Sequence, residues 1–181
     1  MNVFPNLKKY RMILGFSTQW GKDMPPHMAG IPTYFPEKTL SSLVAHYPDF
    51  DWETYADQID LKEQTYDCTP GDHQHKHHTI REDKHDRWQV GMDIHFYINV
   101  RKTNMFQFAP VFKVVSTQEI EIVHSGEKWR MPWVVVDGVI LDANEIMALA
   151  LNDGFTGTKD FFSWFREDFK GKIIHWTTLK Y

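Results

Sequence analysis

The chain has 181 residues, 42% hydrophobic and 15% aromatic, enough for one sizeable core and close to the length of a single domain. A net charge of −4 gives no overall field to hold a long polyanion by counterion release, which argues against a sequence-independent DNA coat. No apolar run approaches the length of a membrane span, and the lone Cys68 cannot form an internal disulfide; a soluble, unprocessed protein of a reducing compartment, the cytoplasm, is expected, with no membrane partner.

Residues 12–17, MILGFS, form a short apolar run ending in small and polar residues, which predicts a buried first strand. A loop rich in Pro and Gly, residues 21–32, precedes PEKTLSSLVAH (36–46), where Pro36 suits the first helical turn and Leu40, Leu43 and Val44 share a face. Residues 47–72 are acidic and mix aromatic with polar residues before the turn sequence TPGD, so they are expected to be an insertion with one short helix.

β patterning then takes over. GMDIHFYINV (91–100) alternates Ile94, Phe96 and Ile98 with polar residues, and residues 111–124 continue as a strand. In WVVVDGVIL (133–141), Asp137-Gly138 predicts a type I′ hairpin, whose central residues both need positive φ. Asp142 and Glu145 predict a capping box opening a helix, and Gly154 stands where a left-handed cap would close it. A second helix is expected from Thr158 to Gly171 with Phe161, Phe162, Phe165 and Phe169 on one face, followed by a strand at 172–177. The expected architecture is α+β, with mostly antiparallel strands curling around a core and helices packed outside.

Chemistry concentrates in DHQHKHHTIRED, residues 72–83, with four histidines among its twelve residues. On an extended segment only His73, His75 and His77 would share a face, and the spacing lacks the converging pairs of a structural zinc site, so adventitious metal binding is expected and a built metal site is not. Six of the ten histidines lie between residues 73 and 95, so protonation near pH 6 would add positive charge there. GFS at 15–17 lacks the second glycine of a nucleophile elbow, and no glycine-rich turn cradles a phosphate; no cofactor is expected.

KHHTIR (76–81), with the first strand and helix before it, Gly91 opening a strand after it, and a late helix with an acid before Gly-Phe, resembles the ASCH branch of the PUA-like superfamily. The similarity spans most of the chain, as one domain over residues 1–181 with elaborations at about 47–72 and about 133–141. It implies a PUA-like, curled β-barrel whose cleft binds RNA or a nucleoside, and some members resemble acetylcytidine amidohydrolases. Carried over, Lys76, Thr79 and Asp153 are the implied catalytic residues, and Arg81 closes the motif; the family often has Glu where Asp153 stands, and a glycine where this chain has Gln74.

A lysine acts as a base for a threonine hydroxyl only if burial or a nearby cation lowers its pKa. In a regular strand Lys76 and Thr79 would face opposite ways, so the chemistry requires an irregular backbone between them. Around this centre, Trp88 is a candidate for base stacking, and Phe106 beside Arg101 and Lys102 is a candidate stacking surface next to phosphate-binding charge. The competing bland reading makes Lys76 and Arg81 surface charges paired with Glu82, Asp83 or Asp86. Three functions therefore stand: recognition of a base without catalysis, hydrolysis of an acylated cytidine or similar amide, and a protein-interaction role for the aromatic insertion, with no partner named.

Overall fold

The computed structural model describes residues 12–60, 73–126 and 131–181. The fold is α+β, with two sheets. In the first, β1 (Met12–Phe16) runs parallel to β3 (Asp93–Ile98), whose other edge takes β5 (Phe112–Lys113) and then β4 (Phe106–Gln107), both antiparallel. Those two short strands are one course interrupted at Ala109-Pro110, since a proline has no N–H for the ladder. In the second, the order is β2 (His78–Arg81), β9 (Phe169–His175), β6 (Ser116–Val123), β7 (Trp133–Val136) and β8 (Val139–Ile140), all antiparallel. Among the described residues no pairing closes the two sheets into a barrel.

The run expected as one strand over 111–124 is divided between the sheets. Val114 N–H donates to Met92 O in the first sheet and Val115 N–H to His175 O in the second, because successive amides of an extended chain point to opposite edges. This corner brings the sheets together over a core that includes Leu14, Phe16, Phe96, Phe108, Ile120, Ile173 and Trp176.

The first helix, α1 (Phe35–His46), begins at the expected proline turn, but it does not lie outside. Nine consecutive residues, Phe35 to Leu43, are buried, and only Val44 and its successors reach solvent. The insertion carries α2 (Trp52–Asp60), and Phe50 packs on Phe112 at 5.7 Å between ring centroids while Tyr55 donates to Gln107 O at 3.2 Å. Part of the aromatic surface considered for a protein partner is thus spent on the first sheet. Residues 61–72, with Cys68, lie outside the described residues.

Two local expectations are met. Asp137 and Gly138 have φ of 48° and 83°, and Val136 pairs with Val139 across them. At α3 (Ala143–Asn152) the Asp142 carboxylate accepts from the amides of Asn144 and Glu145 at 2.8 and 2.9 Å, and Glu145 accepts from Asp142 N–H at 2.8 Å. Asp142→Ala is expected to lower unfolding free energy by about 1 kcal/mol in urea denaturation; an unchanged midpoint would show that the cap is replaceable by water.

The second expected helix is shorter. α4 (Thr158–Trp164) stops at Trp164, and Phe169 belongs to β9. Phe161, Phe165 and Phe169 still share one aromatic cluster, with centroid separations of 4.8 and 4.9 Å, so the apolar spacing is satisfied by a helix, a turn and a strand together. Among the described residues no helix is long and apolar enough to cross a membrane.

Candidate functional site

The site forms where α3 ends. Asp153 caps the helix, Gly154 takes φ 89°, and the chain reverses with Gly154 N–H on Leu151 O at 2.9 Å and Phe155 N–H on Ala150 O at 3.0 Å. This paired arrangement is a Schellman motif, which needs the left-handed residue. Space imposes glycine as well: a Cβ on Gly154 would lie 3.1 Å from the Phe35 ring and 3.3 Å from Lys76 Cδ.

A helix C-terminus presents unpaired carbonyls and a partial negative charge, which favours cations. Two lysines answer it. Lys76 Nζ donates to both the backbone carbonyl and the Oδ1 of Asp153, and Lys38 Nζ donates to Gly154 O at 2.6 Å. Lys76 is 2% exposed, Asp153 is also buried, and the lysine ammonium sits 4.6 Å from the Phe35 ring centroid.

The irregular backbone required of residues 76–79 is present. Residues 73–77 lie outside any strand: Lys76 N–H donates to Lys38 O at 3.0 Å and His77 N–H to Asn152 O at 2.8 Å, and regular pairing starts only at His78 in β2. Lys76, Thr79, Arg81 and Asp153 therefore line one cavity of about 160 Å³, walled by Phe35, Phe155, Trp164 and Phe165. Arg81 donates to Gly15 O at 2.7 Å and its guanidinium lies 5.7 Å from the Phe16 ring centroid. Through Ser17, Trp164 and Phe165 this cavity adjoins a wider cleft of about 600 Å³.

Burial dominates the electrostatics. It lowers the Lys76 amine to about 8, against the opposing pull of Asp153, with Arg81 and Lys38 reinforcing the fall. Burial likewise raises the Asp153 carboxyl, which the neighbouring Lys76 and Arg81 resist. Lys38 is lowered by the same loss of hydration. The bland pairing is not adopted: Asp83 and Asp86 lie by Lys172, Glu82 is 2.9 Å from Lys84, and neither Lys76 nor Arg81 turns to them.

Other predicted residues are elsewhere. Trp88 is a core residue, 4% exposed, whose carbonyl accepts from Lys172 at 3.1 Å; it does not wall the cavity and is too enclosed to stack on a ligand. Arg101 and Lys102 are exposed in the turn after β3, and Phe106 leaves that turn in β4 partly packed on the core; none of the three lines the cavity. Among the described residues no three His, Cys, Asp or Glu are grouped as a metal ion would need.

Several site residues carry no local signal. Lys38 resembles any polar position of a helix, and Phe35, Phe155, Trp164 and Phe165 are aromatic residues in a chain rich in them. Their roles come from tertiary packing alone. No protein-family model, curated protein or solved structure matches the chain.

Proposed function

We propose that the chain is an ASCH-like domain of the PUA-like kind whose pocket recognises the base of a nucleoside. The observation that carries this reading is the meeting of Lys76, Thr79, Arg81 and Asp153, the residues of the motif and its acid, in one aromatic-walled cavity. Its volume of about 160 Å³ is well below the ~300–1,000 Å³ of sites for drug-sized ligands, so a single planar ring with a small substituent suits it. Aromatic faces stack on such a ring, and the lysine, hydroxyl and guanidinium offer donors to its edge.

The rest of the ligand would occupy the adjoining cleft, whose charge favours an unphosphorylated nucleoside over RNA. Asp23, Glu167 and Asp168 line it against the single guanidinium of Arg166, which is itself 3.2 Å from the Asp23 carboxylate. A phosphodiester backbone would meet carboxylates there. Cytidine is expected to raise the thermal midpoint, the effect being lost in Arg81→Ala, and short single-stranded RNA is expected to do less. Stabilisation by RNA alone, steeply salt-dependent, would reverse that order.

A second reading, hydrolysis of an acylated cytidine or a similar small amide, draws on the lowered Lys76 amine in the same cavity as Thr79. The Thr79 hydroxyl attacks the acyl carbonyl while its proton passes to the neutral Lys76 Nζ. The carbon–nitrogen bond then breaks, that proton goes to the departing amine, and water hydrolyses the threonine ester to release the acid. Because the lysine must be neutral to accept a proton, turnover should rise with pH through about 8. Thr79→Ala should abolish turnover of acetylcytidine while keeping cytidine binding. An inactive wild type that still binds cytidine leaves a binding module.

A further inference from the structure

Near Asp153, and outside the lining of the cavity, lies a second set of polar side chains that neither reading uses. His78 is fully buried, as is His175, whose ring centroid is 5.1 Å away. His78 Nε2 is 2.7 Å from the hydroxyl of Tyr181, and that hydroxyl also accepts from Asn152 Nδ2 at 3.0 Å. On the other side of the ring, His78 Nδ1 has no hydrogen-bond partner among the described residues and stands 3.8 Å from Asp153 Oδ1.

The proton positions follow from counting donors. Asn152 gives its amide proton to the Tyr181 oxygen, so the phenol's own proton needs an acceptor, and among the described residues the acceptor in range is His78 Nε2. A neutral imidazole whose Nε2 accepts carries its proton on Nδ1. The imidazolium is disfavoured because burial, His175, Lys76 and His77 all oppose a positive charge there. The Nδ1–H then lies beside the carboxylate that holds Lys76, at 3.8 Å from its Oδ1 and beyond hydrogen-bond distance.

We propose that His78 is a positioning residue: in the tautomer imposed by Tyr181 and Asn152, it sets the positive end of its Nδ1–H dipole 3.8 Å from Asp153 Oδ1, and so tunes the carboxylate that grips Lys76. The inference rests on the Lys76–Asp153 pair being the working pair of the proposed site, but its geometry needs no ligand. An N–H dipole close to a carboxylate stabilises the anion electrostatically and weakens its hold on a neighbouring ammonium proton. His78 therefore helps Lys76 to release and regain its proton.

Two ligand-free measurements test this. Nitrogen-15 NMR of the imidazole distinguishes the tautomers directly; the wild type should show Nδ1–H from pH 6 to 9, and Tyr181→Phe should add the Nε2–H form. A wild type in the Nε2–H form, or charged near neutral pH, would overturn the proposal. The Lys76 titration midpoint, followed by carbon-13 NMR, should rise by about one unit in His78→Leu, which has no donor, and return toward the wild-type value in His78→Asn, which can donate from a similar position. Equal midpoints in Leu and Asn variants that both remain folded would reduce His78 to a packing residue. Because neither readout involves a nucleoside, failure here is distinct from failure of cytidine to bind.

Discussion

Asp153→Ala is expected to lower the unfolding free energy at pH 7 by about 3–5 kcal/mol, the range for breaking a buried ion pair from one side. The lysine left behind is 2% exposed, and among the described residues its ammonium keeps a carbonyl and the face of Phe35. The loss has a ceiling, because Lys76 can escape by shedding its proton. Taking a lysine from its ordinary value near 10.5 to neutrality at pH 7 costs about 5 kcal/mol at roughly 1.4 kcal/mol per unit.

That escape gives the variant a characteristic pH response. Its folded-state lysine would bind protons more weakly than the unfolded one, so the unfolded state holds more protons and stability recovers as pH rises toward 10.5. The double variant Lys76→Met, Asp153→Ala removes the stranded charge and should regain most of the loss. Urea denaturation at pH 7 and pH 9.5 measures all three chains. A single-variant cost below about 1 kcal/mol would mean that the pair is hydrated and not sealed.

The second large effect is acid sensitivity. His175 is fully buried with neither ring nitrogen hydrogen-bonded among the described residues, and burial lowers it to about 4; His78 is shifted in the same direction. A depressed histidine takes up its proton only on unfolding, so its contribution is fully present above the ordinary value of 6.5 and is lost as pH falls from there toward about 4. For His175 alone the loss is on the order of 3 kcal/mol, from roughly two and a half units at 1.4 kcal/mol each. Denaturation midpoints at pH 7.5 and pH 4.5 should differ strongly in the wild type and less in His175→Phe. Equal slopes in the two chains would place the acid response in the carboxylates.

The parts of this molecule that were legible in its sequence are those whose cause is local. A capping box needs only Asp142 and Glu145, and a tight hairpin only Asp137 and Gly138, so both took their expected form. The span of α1 was equally plain, yet its burial was not, because helical periodicity reports one apolar face and cannot see Lys38 and Thr39 enclosed by the rest of the chain. Phe169 fell into a helical series by spacing, although it joins the same aromatic cluster from a strand. Periodicity identified the neighbours and missed the backbone between them.

The site divides along the same line. Lys76, Thr79, Arg81 and Asp153 were nameable through the resemblance of their types and order to the ASCH motif, and they line one cavity. Trp88 and Phe106, singled out by residue type, went to the core and its margin; a chain with seven tryptophans and thirteen phenylalanines offers many such candidates. His78 stood in view within the histidine run, but its link to Asp153 depends on Tyr181 and Asn152, 103 and 29 residues apart from their partners in sequence.

The central claim, that the cavity beside Lys76 and Asp153 receives a nucleoside base, is tested most directly by calorimetric titration of cytidine into the wild type and Trp164→Ala. Trp164 is 40% exposed and walls both the cavity and the adjoining cleft, so its truncation removes a stacking face with little cost to the fold. Saturable binding of one cytidine per chain, weakened about tenfold or more in the variant, is the predicted result, a stacking face being worth roughly 1–3 kcal/mol per base. No heat in the wild type, or the same affinity in both chains, would contradict it.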